Sequence, residues 1–128
     1  MGFDRKYLVW ALGYVVLGMG LGIFMAASHN HAQRGTHAHI LLVGFVVPLI
    51  YAVVHKLWLG EKPPRFAKLQ FIMHQIGAAT MFAGLFMLLG DIVPETQIAP
   101  VLATGSIVVF SAALLMIFMV YRDNVVRT

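Results

Sequence analysis

Long apolar stretches separated by short polar segments dominate the sequence. Each stretch has roughly 20 residues, enough for an α-helix to cross about 30 Å of hydrocarbon. Backbone polar groups in lipid must be bonded within the chain, so the stretches predict helices. Their short connections predict a single domain, residues 1–128, folded as an all-α up-down bundle of four transmembrane helices. The predicted helices are Tyr7–Ala27, Ala38–Trp58, Phe66–Leu89 and Ile98–Tyr121.

The composition agrees with a membrane protein. Hydrophobic residues make up 60% of the chain and charged residues only 11%. A soluble globule of this size would need more polar surface than that to cover its core. We therefore expect the lipid bilayer to be the chain's main solvent.

Lysine and arginine lie mostly on one side of the predicted bundle. If the helices alternate in direction, Arg34 is the only cation on the opposite side. Cytoplasmic loops of membrane proteins are enriched in lysine and arginine, so both termini are predicted to be cytoplasmic. The formal charge of +4 is then a topology signal, and no nucleic-acid partner is expected.

Several classes of chemistry are excluded by composition. The chain has no cysteine, which removes disulfides, iron–sulfur clusters, thiolate metal sites and cysteine nucleophiles. No nucleophile–base pair, carboxylate pair or phosphate loop can be assembled, so hydrolase and kinase functions fail and no catalytic residue is assigned. The acidic residues all fall at predicted membrane boundaries: Asp4, Glu61, Asp91, Glu95 and Asp123.

Small residues and one proline mark the expected helix contacts. Gly18 and Gly22 give helix 1 a small-xxx-small spacing that allows close packing. Pro48 lies inside helix 2, where it removes a backbone donor, frees the carbonyl of Gly44 and predicts a bend.

Histidine is the informative residue type. Four of the six histidines, His29, His31, His37 and His39, fall within eleven positions that span the first connection and the start of helix 2. At about 100° per residue, His37 and His39 face nearly opposite directions. His74 lies inside helix 3, where an ionisable residue is costly and often functional.

Glycine beside two of these histidines predicts open space. Gly44 follows His37 on one face of helix 2, and Gly77 follows His74 one turn later. A flat macrocycle needs such space.

Two blocks of sequence carry a family resemblance. Thr36–Phe45, preceded by Ala27-Ser28 and His31, and the block His74-Gln75-Ile76-Gly77, followed by Met81 and Gly84-Leu85, are the segments concerned. They resemble short four-helix membrane proteins related to subunit I of the haem-copper oxidases and nitric oxide reductases.

The resemblance implies a non-covalent haem b, since a Cys-x-x-Cys-His attachment motif is impossible here. His39 and His74 are the implied axial ligands, with His37 a close rival because a His-x-His helix in the large oxidases serves two haems. Arg34 would lie near the haem propionates. The chain lacks the oxidase's further helices and copper-binding histidines, so haem binding is implied without oxygen or nitric oxide reduction.

The implied function is electron transfer or diatomic-gas binding in a bacterial-type inner (cytoplasmic) membrane. The helical rise suggests a depth offset of roughly 10 Å between His39 and His74, which leaves the ligand pairing open. The ligands could pair across a homodimer, hold separate sites, or leave one axial position to methionine or to a gas. A redox partner or a quinone would complete an electron-transfer role.

Other classes of function remain open. His29, His31, His37 and His39 with Met25 form an outward His/Met set suited to copper, or to zinc if only imidazoles bind. A non-catalytic accessory subunit of a larger oxidase would instead hold no cofactor. Proton conduction along His37, Tyr51 and His55 ranks last, because two imidazoles five turns apart need intervening carriers.

Overall fold

The computed structural model describes residues 1–60 and 63–127, and within these it has four long helices and no strand. Glu61 and Lys62, which the sequence places in the second connection, and Thr128 lie outside the described residues. All four helices are long and apolar enough to cross a membrane, which confirms the all-helical prediction and gives four candidate membrane spans. The helices are α1 (Phe3–Ser28), α2 (Arg34–Leu57), α3 (Ala67–Leu89) and α4 (Glu95–Arg127).

Most helix ends extend beyond the predicted apolar runs, although α2 ends and α3 begins one residue inside them. Helix α2 begins at Arg34 rather than at Ala38, and α4 continues to Arg127. Helical hydrogen bonding continues through polar residues at a membrane boundary, where water satisfies the terminal groups, so hydrophobicity alone underestimates helix length. His29 closes α1 in the left-handed region, with a φ of 55°.

Neighbouring helices are antiparallel. Early in α1, the Phe3 ring stacks on His55 near the end of α2, with ring centroids 5.5 Å apart. A Cβ placed at Gly18, later in α1, would meet Leu41, near the start of α2. The start of α1, the end of α4 and the described residues 58–60 and 63–66 of the second connection thus lie at one end of the bundle, which we call the terminal end. The connections of residues 29–33 and 90–94 lie at the other end, which we call the histidine end.

Helix α2 contains a π-helical segment, Ile40–Val46, directly before Pro48. The amide of Val47 donates to the carbonyl of Leu42, five residues back, and Pro48 has no amide to donate. The carbonyl of Val43 therefore loses both of its ordinary helical donors. The sequence predicted that Pro48 would free the Gly44 carbonyl and bend the helix. The structure has a π segment directly before Pro48, and the carbonyl of Val43 accepts a hydrogen bond from a side chain.

Helices α3 and α4 cross where two glycines meet. A Cβ at Gly77 would lie 3.0 Å from the carbonyl oxygen of Gly105, and a Cβ at Gly105 would lie equally close to the carbonyl oxygen of Gly77. These neighbours are backbone atoms and cannot move aside like a side chain. Backbone contact without intervening side chains is how membrane helices gain close packing.

Replacement of Gly77 by alanine is expected to lower the free energy of unfolding by about 1–3 kcal/mol, because the added methyl forces α3 and α4 apart. Gly20→Ala is the matched control, since a Cβ there meets nothing within 4 Å. That change should be neutral or stabilising by up to about 1 kcal/mol through helix propensity. Denaturant titrations of both variants in detergent test the difference; equal effects would show that the crossing is not tightly packed.

Candidate functional site

His39 is the histidine whose ring is best prepared to bind a metal. It is half-buried near the start of α2, and its Nδ1 lies 2.8 Å from the carbonyl oxygen of Gly35, one turn earlier. A carbonyl only accepts, so Nδ1 carries the proton and donates it. Nε2 then presents a bare lone pair, with no hydrogen-bond partner among the described residues. Metal-bound histidines are commonly held in this way, with the second nitrogen bonded to a carbonyl.

His37 faces a different helix. Its Nδ1 donates to the carbonyl oxygen of Gly18 in α1 across 2.7 Å, and its ring lies against Gly22. A Cβ at Gly22 would approach the ring to 2.9 Å, so a larger residue there would displace the imidazole. Gly18 and Gly22 therefore allow close packing, as their spacing predicts. Leu41 packs against Gly18, and the His37 imidazole packs against Gly22. His37 and His39 diverge as their spacing predicts.

His74 is fully buried, with 0% of its surface exposed. Its Nε2 donates to the carbonyl oxygen of Val43 across 3.0 Å, while Nδ1 is buried without a partner. The rings of Tyr7 and Tyr51 stand edge-on to it, at centroid distances of 6.2 and 5.4 Å. The imidazole thus satisfies the carbonyl that the π segment and Pro48 leave without a helical donor.

His39 and His74 have no hydrogen-bond partner in common in this structure. Each ring is bonded to a different carbonyl, one in its own helix and one across the bundle. To bind an iron through Nε2, His74 would have to release Val43 and displace the tyrosine rings that enclose it.

The open space predicted beside Gly44 and Gly77 is filled. A Cβ at Gly44 would lie 2.8 Å from the Tyr14 side chain and 3.1 Å from Phe82, so aromatic side chains of α1 and α3 occupy that notch. Gly77 is pressed against the backbone of α4 around Gly105. The prediction of open space was wrong, because close packing of neighbouring helices takes up the volume that missing side chains create.

The outward His/Met set is not assembled. His29 and His31 are exposed, Met25 is buried, and His37 is bonded to α1. Within the described residues, no group of three or more histidine or acidic side chains could hold a metal ion. Arg34 is exposed at the first position of α2, where its amide donates to the carbonyl of His31.

An amide and hydroxyl network fixes the start of α2. Thr36 Oγ1 donates to Gln33 Oε1 across 2.6 Å, and Gln33 Nε2 donates to the carbonyl oxygen of Phe86 in α3 across 3.0 Å. Both polar side chains are buried. The network ties the turn that carries His37 and His39 to α3, and sequence reasoning missed it. The sequence did contain a sign of this network, because Gln33 and Thr36 are polar residues at the edge of an apolar run, where buried polar groups need partners.

A second polar network lies in the terminal half of the bundle. The Tyr7 hydroxyl donates to Gln70 Oε1, and Gln70 Nε2 donates to the carbonyl oxygen of Ala112 across 3.1 Å. His55 stacks on Tyr7 with a centroid distance of 5.8 Å. The hydrogen bonds join α1, α3 and α4, and the ring of His55 adds α2. Buried Gln70 inside an apolar helix was the sequence signal for this network, since a buried amide needs partners.

Apolar side chains form an exposed stripe along α2 below His39. Leu42 is 57% exposed, and Val46 and Ile50 are exposed as well. A flat apolar ligand could cover these side chains without burying any polar group of the stripe. The surroundings of His39 therefore fit one imidazole ligand beside an apolar surface.

Comparisons with known proteins found no match: no family model, no curated protein and no solved structure is similar to this chain.

Proposed function

We propose that this protein binds haem b in a membrane, with His39 as the axial ligand from this chain. The observation that carries the proposal is the hydrogen bond from His39 Nδ1 to the Gly35 carbonyl, which leaves Nε2 free at an exposed apolar surface. The family resemblance of the Thr36–Phe45 block supports the choice of haem over other metal groups. When bound, haem would supply one-electron transfer or binding of a diatomic gas.

The chain's own residues would hold and orient the ligand. The bond to Gly35 fixes the ring plane and makes Nε2 more basic. The Gln33–Thr36–Phe86 network keeps the first turns of α2 in place. Leu42 and Val46 would pack against the macrocycle, and exposed Arg34 would meet a propionate.

One chain offers one suitable imidazole. His74 donates its Nε2 to Val43. His37 also bonds through Nδ1, but its ring packs against Gly22 of α1 rather than beside the exposed apolar side chains, so we expect a second imidazole to come from another copy of the chain. Two imidazoles give low-spin iron suited to electron transfer, which a redox partner or a quinone would complete. One imidazole leaves a position for a gas. The spin state of bound haem separates these two functions.

Haem binding is tested by titrating haem into the detergent-purified chain and following the Soret band, with copper and zinc measured in the same sample. The proposal expects saturation at one haem per chain, or per two chains if His39 ligands pair across a dimer. Stoichiometric copper or zinc with no saturable haem would favour the metal-binding alternative. A chain that binds neither would favour an accessory subunit.

We further propose that the terminal end faces the cytoplasm of a bacterial-type inner membrane. Arg5, Lys56, Arg65 and Lys68 lie at that end, and the positive-inside rule gives the orientation. Because the chain has no cysteine, Asn30→Cys and Pro63→Cys variants each carry one thiol, and both positions are exposed. In whole cells an impermeant maleimide should label the cysteine at position 30 and spare the one at position 63; the reverse pattern would overturn the orientation.

A further inference from the structure

A groove of about 410 Å³ lies between α1 and α2 at the terminal end. Its wall is apolar, and its mouth is charged. Arg5 and Lys56 stand at the mouth together with the carboxylate of Asp4. The apolar wall is formed by Leu8, Leu49, Ala52, Val53 and Leu57.

The two cations at the mouth have no fixed partner. Arg5 and Lys56 are exposed and form no ion pair among the described residues. Two other cations at this end lie over aromatic rings: Lys6 Nζ is 4.6 Å from the Phe3 ring centroid, and the Arg65 guanidinium is 5.6 Å from that of Phe66. Arg5 and Lys56 are the basic residues that line the groove, and both can bind an anion there.

We propose that this groove binds an anionic phospholipid, with the phosphodiester between Arg5 and Lys56 and an acyl chain along the apolar wall. The arrangement of charge above hydrocarbon matches a lipid at the membrane boundary. Basic side chains at such a boundary attract anionic headgroups, by about fivefold in affinity for each cation near the surface. The proposal is independent of haem binding.

The carboxylate of Asp4 sets the net charge at the mouth of the groove and so favours one class of lipid headgroup. Two cations and one carboxylate leave one net positive charge at the mouth, which a lipid with one net negative charge neutralises. Phosphatidylglycerol has that charge. A zwitterionic phosphatidylethanolamine would leave the excess positive charge in place, although its ammonium group would pair with Asp4.

The test uses the full chain in nanodiscs that contain equal amounts of phosphatidylglycerol, phosphatidylethanolamine and phosphatidylcholine with matched acyl chains. Native mass spectrometry after detergent release counts the lipids that remain bound. We expect retained phosphatidylglycerol, and Arg5→Gln/Lys56→Gln should weaken its retention by about tenfold or more. Lys68→Gln/Arg122→Gln removes the same charge at the same end and should keep retention unchanged.

Two further variants separate the parts of the site. Val53→Trp fills the apolar groove without changing charge and should also reduce retention, while a folded helical spectrum shows that the bundle survives. Asp4→Asn should preserve or strengthen phosphatidylglycerol binding. Equal retention of the three lipids, equal loss in both charge variants, or preferred phosphatidylethanolamine that disappears with Asp4→Asn would overturn the proposal.

Discussion

Replacement of His39 by alanine is expected to weaken haem binding by more than about 100-fold, because it removes the proposed ligand, whereas changes to a ligand's supporting groups cost about 10–100-fold. The bundle should remain folded, since the His39 side chain is half-buried and bonds only within its own helix. Haem titration of the variant, followed at the Soret band, measures the loss. A helical circular dichroism spectrum checks the fold.

Two histidines serve as controls for His39. His29→Ala removes an exposed imidazole at the end of α1 and should leave haem binding unchanged. His37→Ala removes the bond to Gly18 and should lower stability while retaining most haem affinity. Full haem binding by His39→Ala, with loss in His37→Ala, would assign the ligand to His37 instead.

Replacement of His74 by phenylalanine is expected to lower the free energy of unfolding by about 1–3 kcal/mol, because it leaves the Val43 carbonyl buried without a donor. Phenylalanine keeps an aromatic ring between Tyr7 and Tyr51, so packing changes little. Haem binding should persist, because the proposed ligand is His39 and the Nε2 of His74 is already bonded to the Val43 carbonyl. Loss of stoichiometric haem in this variant would restore the His39–His74 pair implied by the resemblance.

The effect of His74 should depend on Pro48. Pro48→Ala supplies a backbone amide in the turn where Val43 lacks one, so the imidazole becomes less necessary. In a double-mutant cycle, His74→Phe should cost less than about 1 kcal/mol when alanine replaces Pro48, a coupling within the usual range for contacting groups. Denaturant titrations of the four proteins give the coupling. Strictly additive costs would show that Pro48 does not create the need for His74.

Hydrophobic runs were sufficient to predict the four helices, because a bilayer admits few other structures for such a sequence. The helix ends were less predictable: α2 begins at Arg34 because water and the Gln33–Thr36 network satisfy groups that lipid would not. The opposite orientations of His37 and His39 followed from helical geometry alone.

The role of His74 was beyond sequence reasoning, because it depends on a π segment. Pro48 signalled an interruption of α2, yet which carbonyl would lose its donor depended on the local helix register. A buried histidine in a membrane helix also has two chemically different explanations, a ligand or a donor to the backbone. The contact with Val43 identifies the donor role in this structure.

Glycine was ambiguous for a similar reason. A missing side chain at Gly44 or Gly77 provides room either for a cofactor or for a neighbouring helix. In this structure Tyr14 and Phe82 fill one position, and the α4 backbone approaches the other. Only the packing of the other helices distinguishes the two uses.

The proposed haem site is tested most directly by the absorption spectrum of the chain purified from a haem-replete host, oxidised and then reduced with dithionite. We expect a Soret band and, after reduction, α and β bands, with all of them absent from the His39→Ala variant. A folded protein from the same host with a featureless visible spectrum would contradict the account.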